Sequence, residues 1–244
     1  MSIFKNIIKY FKQRKIINEI YYDLKNHNEV LLSKRLEIFA EKVTPKFAEI
    51  GLKNWNGKYI WFSDFNEHGI KHVIEYNVLK GFRGSFTYGN CFDFVPTISN
   101  GKWINHKTNK STKILFFNRL DGCQESLNND RLINPDIIST VNEDKFNSDL
   151  DKVLQANLPR LEEWFSKNET IEQNLNSLIS MTKNLPRDIG TRIISFEYLL
   201  AFFYSNKSNY QEAENWIQKH FEKKINNESE KKMILDRLSI NPYS

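Results

Sequence analysis

The residues of this chain with the most chemical capacity are five histidines, His27, His68, His72, His106 and His220, and two cysteines, Cys91 and Cys123. His68 and His72 are four apart, a spacing that on a helix would aim two imidazoles at one metal ion. Gly69 and the period-two pattern around them place the pair on a turn and a strand instead. Extended backbone then holds them roughly 13 Å apart along the chain, too far to share an ion. Neither cysteine belongs to a CxxC pair, and nothing resembles a disulfide framework, so no zinc site is expected and a reducing cytoplasm is the simplest home. No metal and no cofactor is expected.

Nucleophilic catalysis asks for a Ser or Cys beside a base, often on a GxSxG elbow, and no such elbow occurs. Gly81-Phe82-Arg83-Gly84 is too short for a phosphate cradle and precedes a strand rather than a helix. Acidic neighbours such as Glu162-Glu163, or Asp149 with Asp151, fall on the solvated face of a helical pattern. Arg83 and Asp93 sit on the polar side of a strand, where an ion pair or plain solvation accounts for them. These readings point to a non-enzymatic protein.

What remains is recognition. Trp55, Tyr59, Trp61 and Trp103, with His68 and Arg83, are the candidate partner-binding residues, because large aromatics and Arg make the strongest interface anchors. A second candidate is a basic terminal patch of Lys5, Lys9, Lys12, Arg14 and Lys15, for no acid occurs among the first fifteen residues. The alternative function is binding of nucleic acid or another anionic surface, with Lys58-Tyr59-Ile60-Trp61, Arg83, Tyr88 and Lys102-Trp103 as a stacking face. No RNP-like signature accompanies it.

The elements that must position these groups follow from periodicity. The chain of 244 residues is 40% hydrophobic, with 18 Phe, 10 Tyr and 5 Trp, enough for a sizeable core and incompatible with wholesale disorder. Its longest apolar run is far short of a membrane span. The net charge is +5, but 26 Lys and 29 Asn against 5 Ala is the composition an AT-rich genome produces, so the charge by itself argues little for nucleic acid. An N-terminal helix carries the stripe Ile3, Phe4, Ile7, Ile8 and Phe11, and a second stripe from Ile16 to Leu24 faces another way. That helix is expected to dock on the fold, to pair with a second copy as a homodimer, or to lie on an anionic surface. A helix over 29–50 is expected to kink or break near Val43 because of Pro45. Residues 58–64 and 72–78 alternate as a hairpin, 82–94 as a long strand with a bulge at Gly89-Asn90, and 113–117 as a fourth strand. From Asp144 onward the pattern is helical, including one segment over 187–204. The fold class expected is α+β: N-terminal helices on an antiparallel sheet of about four strands, then a C-terminal helical bundle. The boundary falls between 1–130 and 131–244, the two packed as one unit.

Two stretches resemble known sequences. Pro45, Phe47, Gly51-Leu52-Lys53, Trp61-Phe62, His72-Val73-Ile74-Glu75-Tyr76, Phe86-Thr87-Tyr88-Gly89 and Pro96, within Glu41 to Ile98, resemble a bacterial domain-of-unknown-function family, number 4304. Leu52 stands where that pattern has Phe, and Gly89 comes one place early. The family implies no reaction and no cofactor. Its members occur near toxin systems, so the resemblance implies an immunity or defence-associated role, with another protein, a toxin, as partner. Leu200, Ala201, Tyr204, Tyr210 and Ala213 resemble one tetratricopeptide-type helix pair. A single unit cannot form a solenoid, so an ordinary helical hairpin is expected there.

Overall fold

The structure, a computed structural model, describes residues 28–120, 134–183, 189–191, 194–222 and 228–240, together with Tyr10, Arg14, Lys15, Asn18 and Lys25. The apolar stripes of the N-terminal helix lie outside the described residues.

The first described helical segment is interrupted without being broken. Helix α1 (Leu32–Ile38) widens into a π-helical turn (Phe39–Val43) before α2 (Thr44–Glu49). Pro45 has no N–H to offer the preceding turn, and it sits at the first positions of α2, where none is needed. The Thr44 hydroxyl donates to the Phe39 carbonyl (3.1 Å) and accepts from the Trp61 indole N–H (2.9 Å). One widened turn therefore absorbs the proline and clamps the helix to the sheet.

The sheet is antiparallel throughout. Its strands are β1 (Asn54–Trp55), β2 (Ile60–Phe62), β3 (Ile70–Leu79), β4 (Arg83–Phe92), β7 (Phe116–Arg119), β8 (Ile138–Ser139) and β9 (Ile189–Gly190). They pair in the order β1-β2-β3-β4-β7-β9, and β8 joins β4 at its start. A separate hairpin, β5 (Thr97–Ser99) and β6 (Lys102–Ile104), turns at Asn100-Gly101, both at positive φ. Strands β8 and β9 come from beyond residue 130, so segments on both sides of that boundary share one sheet.

Register assigns the faces. His72, Ile74 and Tyr76 on β3 stand opposite Asn90, Tyr88 and Phe86 on β4, and this face carries the first core. Phe39 meets Trp61 (5.4 Å) and Tyr76 (4.9 Å) edge to face, and Phe47 meets Trp61 (5.3 Å) and Phe86 (5.4 Å) the same way. Such pairs add to what burial alone contributes. Helix α3 (Glu143–Ser166) completes the layer with Phe146, Leu150, Val153, Leu161 and Phe165. It runs unbroken through Pro159. The register of β3 with β4 is continuous from Ile70↔Phe92 to Leu79↔Arg83, so the expected bulge at Gly89-Asn90 is absent. Gly89 serves a different need: a Cβ there would lie 2.0 Å from the Phe116 carbonyl oxygen, because β7 approaches that closely.

A second core joins the far ends of β3, β4 and β7 to α4 (Ile171–Lys183), α5 (Phe196–Asn206), α6 (Tyr210–Glu222) and α7 (Glu228–Ile240). Ala201 and Ala213 are buried where α5 meets α6, as the helical-hairpin reading requires. Where a helix was expected from Arg187, the described residues instead give β9 against β7 and a helix that starts only at Phe196, with Ser195 as its cap. The two cores meet at a polar seam. The Asn90 amide donates to the Asn174 side chain (2.7 Å) and the Asn168 carbonyl (3.1 Å), and its oxygen pairs with His72 Nδ1 (2.8 Å). Burial holds the His72 pKa below its ordinary value, which suits a neutral ring donating to that amide.

Candidate partner-binding surface

The expected anchor residues occupy very different places. Trp61 is 0% exposed and belongs to the core, so it cannot touch a partner. Trp55 stacks on it (6.0 Å, 8° between planes) and is half-buried, and Tyr59 packs against Phe39 and Tyr76 with Lys58 Nζ 5.5 Å from its ring. These three are brought together, but as the wall of the first core. His68, beside Glu67, lies on the β2–β3 turn, whereas Arg83 donates from Nε to the Lys80 carbonyl at the other end of β3. Ten residues of strand put about 33 Å between those ends. Trp103 stands on the separate β5–β6 hairpin, with Arg237 of α7 5.7 Å from its ring. Of the basic terminal patch, Arg14 and Lys15 are exposed helical residues; Lys5, Lys9 and Lys12 lie outside the described residues.

Trp103 leads to the surface whose chemistry is most coherent. No acid occurs from Phe94 to Leu120, and Lys102, Lys107, Lys110 and Lys113 within that stretch are all exposed. None of these four lysines forms an ion pair among the described residues. The basic charge is thus split between two acid-free stretches, this one and the first fifteen residues, and the rest of the chain nets negative. A count of charge by window would have found the second; attention to the N-terminus alone passed over it.

The lysines ride on an ordered loop. His106 is fully buried, with Nδ1 2.7 Å from the Ser111 carbonyl and Nε2 3.1 Å from the Thr97 hydroxyl. A carbonyl only accepts, so Nδ1 carries the proton and Nε2 accepts from Thr97. Burial holds the His106 pKa below its ordinary value and keeps this neutral tautomer. Thr108 and Ser111 close a reciprocal cap around the 3-10 turn Asn109–Ser111.

Beneath the loop lies Lys71, 1% exposed. Its Nζ donates to Asn109 Oδ1 (2.8 Å) and Thr112 Oγ1 (3.3 Å), with the rings of Phe65 and Phe62 at 4.3 and 4.9 Å. Burial lowers its pKa, partly offset by Cys91 and Asp64. The neighbouring Cys91 thiol is pushed up to about 11, chiefly by burial, which leaves it an inert thiol. A lysine with a depressed native pKa weighs against folding below that pKa, and this penalty lifts as pH climbs toward the unfolded value of 10.5. The stability of the native chain relative to Lys71→Met is therefore expected to increase between pH 7 and pH 10 in paired urea titrations. A constant difference would show that Lys71 is not desolvated.

One other pair has the spacing of a nucleophile and its base. Ser195 Oγ lies 2.7 Å from His220 Nδ1. The same hydroxyl accepts from the Tyr198 N–H (3.1 Å) as the cap of α5, and His220 packs on Tyr198 and Phe221, so the pair fastens α5 to α6. Among the described residues no three His, Cys, Asp or Glu side chains gather as a metal site, and no helix is long and apolar enough to cross a membrane. Fold and surface together define an α+β chain that presents an ordered basic loop. Comparison with protein-family models, with curated proteins and with solved structures found no match.

Proposed function

We propose that this chain is a non-enzymatic, cytoplasmic protein-binding factor that binds and blocks a partner protein, meeting an acidic surface with the loop 102–113. The observation that carries this reading is the loop itself: four exposed lysines, no acid, and a scaffold of buried hydrogen bonds that orders them before binding. Preorganisation lowers what association costs, and charge complementarity sets encounter rate and specificity. Trp103, half-buried beneath Arg237, supplies an aromatic anchor at the edge of the patch. The resemblance of Glu41 to Ile98 to family number 4304 supports an immunity or defence-associated role, with a toxin as partner.

The test is affinity purification of the tagged chain from its native host at low and physiological salt, beside Lys107→Glu/Lys110→Glu. The expected result is one acidic protein held in stoichiometric amount by the native chain and lost by the variant. Recovery of the native chain alone at every salt concentration would sink the reading. The same lysines beside Trp103 also favour the second reading, a nucleic-acid binder. That one requires a labelled 20-mer to bind with a logarithmic salt slope of about −3 to −4, as four phosphate contacts demand.

A further inference from the structure

Asn-Gly occurs twice in the chain, at Asn56-Gly57 and Asn100-Gly101, and a lysine follows each pair. The pairing suits a tight turn, because both residues tolerate positive φ. It also carries a reaction of its own. Asparagine is a thermolabile residue, and glycine, lacking a Cβ, leaves its backbone nitrogen open to the side chain before it. That nitrogen, on losing its proton, attacks the asparagine Cγ; the N–Cγ bond forms, the Cγ–Nδ2 bond breaks and ammonia leaves. Water then opens the cyclic succinimide at either carbonyl, giving aspartate or isoaspartate.

Both asparagines are exposed, but the fold holds them differently. Asn56 Oδ1 accepts from the backbone N–H groups of Lys58 (2.9 Å), Tyr59 (3.1 Å) and Ile60 (3.1 Å), and the Asn56 N–H donates to the Ile60 carbonyl (3.0 Å). Reaction there must first free the carboxamide from three donors. At the second site, no described residue bonds the Asn100 carboxamide or the Gly101 N–H. Asn100 and Gly101 form the tip between β5 and β6, at φ 50° and 70°, and a Cβ on Gly101 would meet nothing within 4 Å. The two arms have three residues each and pair only with one another, so opening of the tip costs little. Ile98 and Trp103 meanwhile keep the root of the hairpin against the second core.

We infer that Asn100 is a self-modifying site, converted in the folded protein through attack by the Gly101 nitrogen, while Asn56 is protected. The product replaces a neutral amide by a carboxylate beside Lys102, so the acid-free stretch acquires an acid and the net charge of +5 falls by one. Isoaspartate also lengthens the backbone of the turn and unsettles the pairing of Ser99 with Lys102. The reaction needs no partner, so its outcome is independent of whether the loop 102–113 is the binding surface. The full-length chain, held at mildly alkaline pH and physiological temperature, is sampled over days and digested after lysine. Cleavage at Lys53, Lys58, Lys80 and Lys102 puts Asn56 and Asn100 in separate peptides, and fragmentation locates each unit gain in mass. The gain is expected to accumulate several-fold faster at Asn100 than at Asn56 in the folded chain. In guanidinium chloride, where Asn56 loses its three donors, the two rates converge. The converted fraction elutes earlier from a cation exchanger, and Asn100→Gly, which keeps a permitted hairpin turn, abolishes both the mass gain and the early peak. Equal rates at the two sites in the folded chain, or no gain at Asn100, would overturn the inference.

Discussion

Replacing Gly89 with alanine is expected to lower unfolding free energy by about 3 kcal/mol or more, the upper range for forcing atoms into a packed interior. The residue lies mid-strand in β4, paired with Val73 on one side and Phe117 on the other. The added methyl would fall 2.0 Å from the Phe116 carbonyl oxygen and 2.8 Å from both Phe117 Cα and Ile114 Cγ2. Two of those atoms are backbone, so relief requires β7 to retreat, and retreat breaks the β4–β7 ladder and withdraws Phe116 from the second core. The sign is informative as well. Glycine within a strand is ordinarily destabilising relative to alanine by about 0.5–1 kcal/mol. If the approach of β7 were looser than described, Gly89→Ala would therefore stabilise the protein. Urea unfolding of the two proteins decides it, and equal or greater stability of the variant would refute the placement of β7.

Gly89 also shows where sequence reading stops. Its position in an alternating run was legible, and so was the strand, but a mid-strand glycine signals either a bulge or the close approach of another chain segment. Only the neighbour, β7, decides which. Period-two runs found β3 and β4, and helical stripes found α3, α6 and α7, since both signals are carried within one element. Strand β9 was lost because two residues have no period, and their pairing with Phe117 and Asn118 is set by tertiary structure alone. Trp55 and Trp61 illustrate the same limit at the candidate site: residue type marks an interface anchor and a core residue alike, and burial separates them.

The asparagines carry a further lesson. An abundance of Asn read as genomic bias conceals Asn90, Asn168 and Asn174, which are buried and mutually bonded where the turn after α3 meets the sheet. Asn157 is another, donating to Asp136 and to the Val153 carbonyl. Frequency states how often a residue occurs, whereas the energetic weight of a buried amide depends on its partners. The same reasoning recovers the loop lysines. Their number was unremarkable, and the absence of any acid across the same stretch was the informative quantity.

Lys107→Glu/Lys110→Glu is expected to slow association with the partner recovered from the native host by about a hundredfold at low salt, with the deficit shrinking as salt rises. Lys107 precedes the turn closed by Thr108 and Ser111 and Lys110 lies within it, and each reversal replaces an attraction by a repulsion of the same reach. Exposed charges act mainly before contact, on the encounter, so the change belongs in the association rate and is screened over about 10 Å at 0.1 M salt. Order in the loop makes a separate contribution. His106→Leu removes the bonds to Ser111 and Thr97 without altering loop charge, leaves those two groups unpaired, and lets the turn explore other conformations. Its expected effect is faster dissociation with little change in the salt dependence of association. Measuring both rate constants across a salt series therefore separates steering from preorganisation. If Lys107→Glu/Lys110→Glu binds at the native rate at low salt, the loop is not the surface the partner meets, however basic it is.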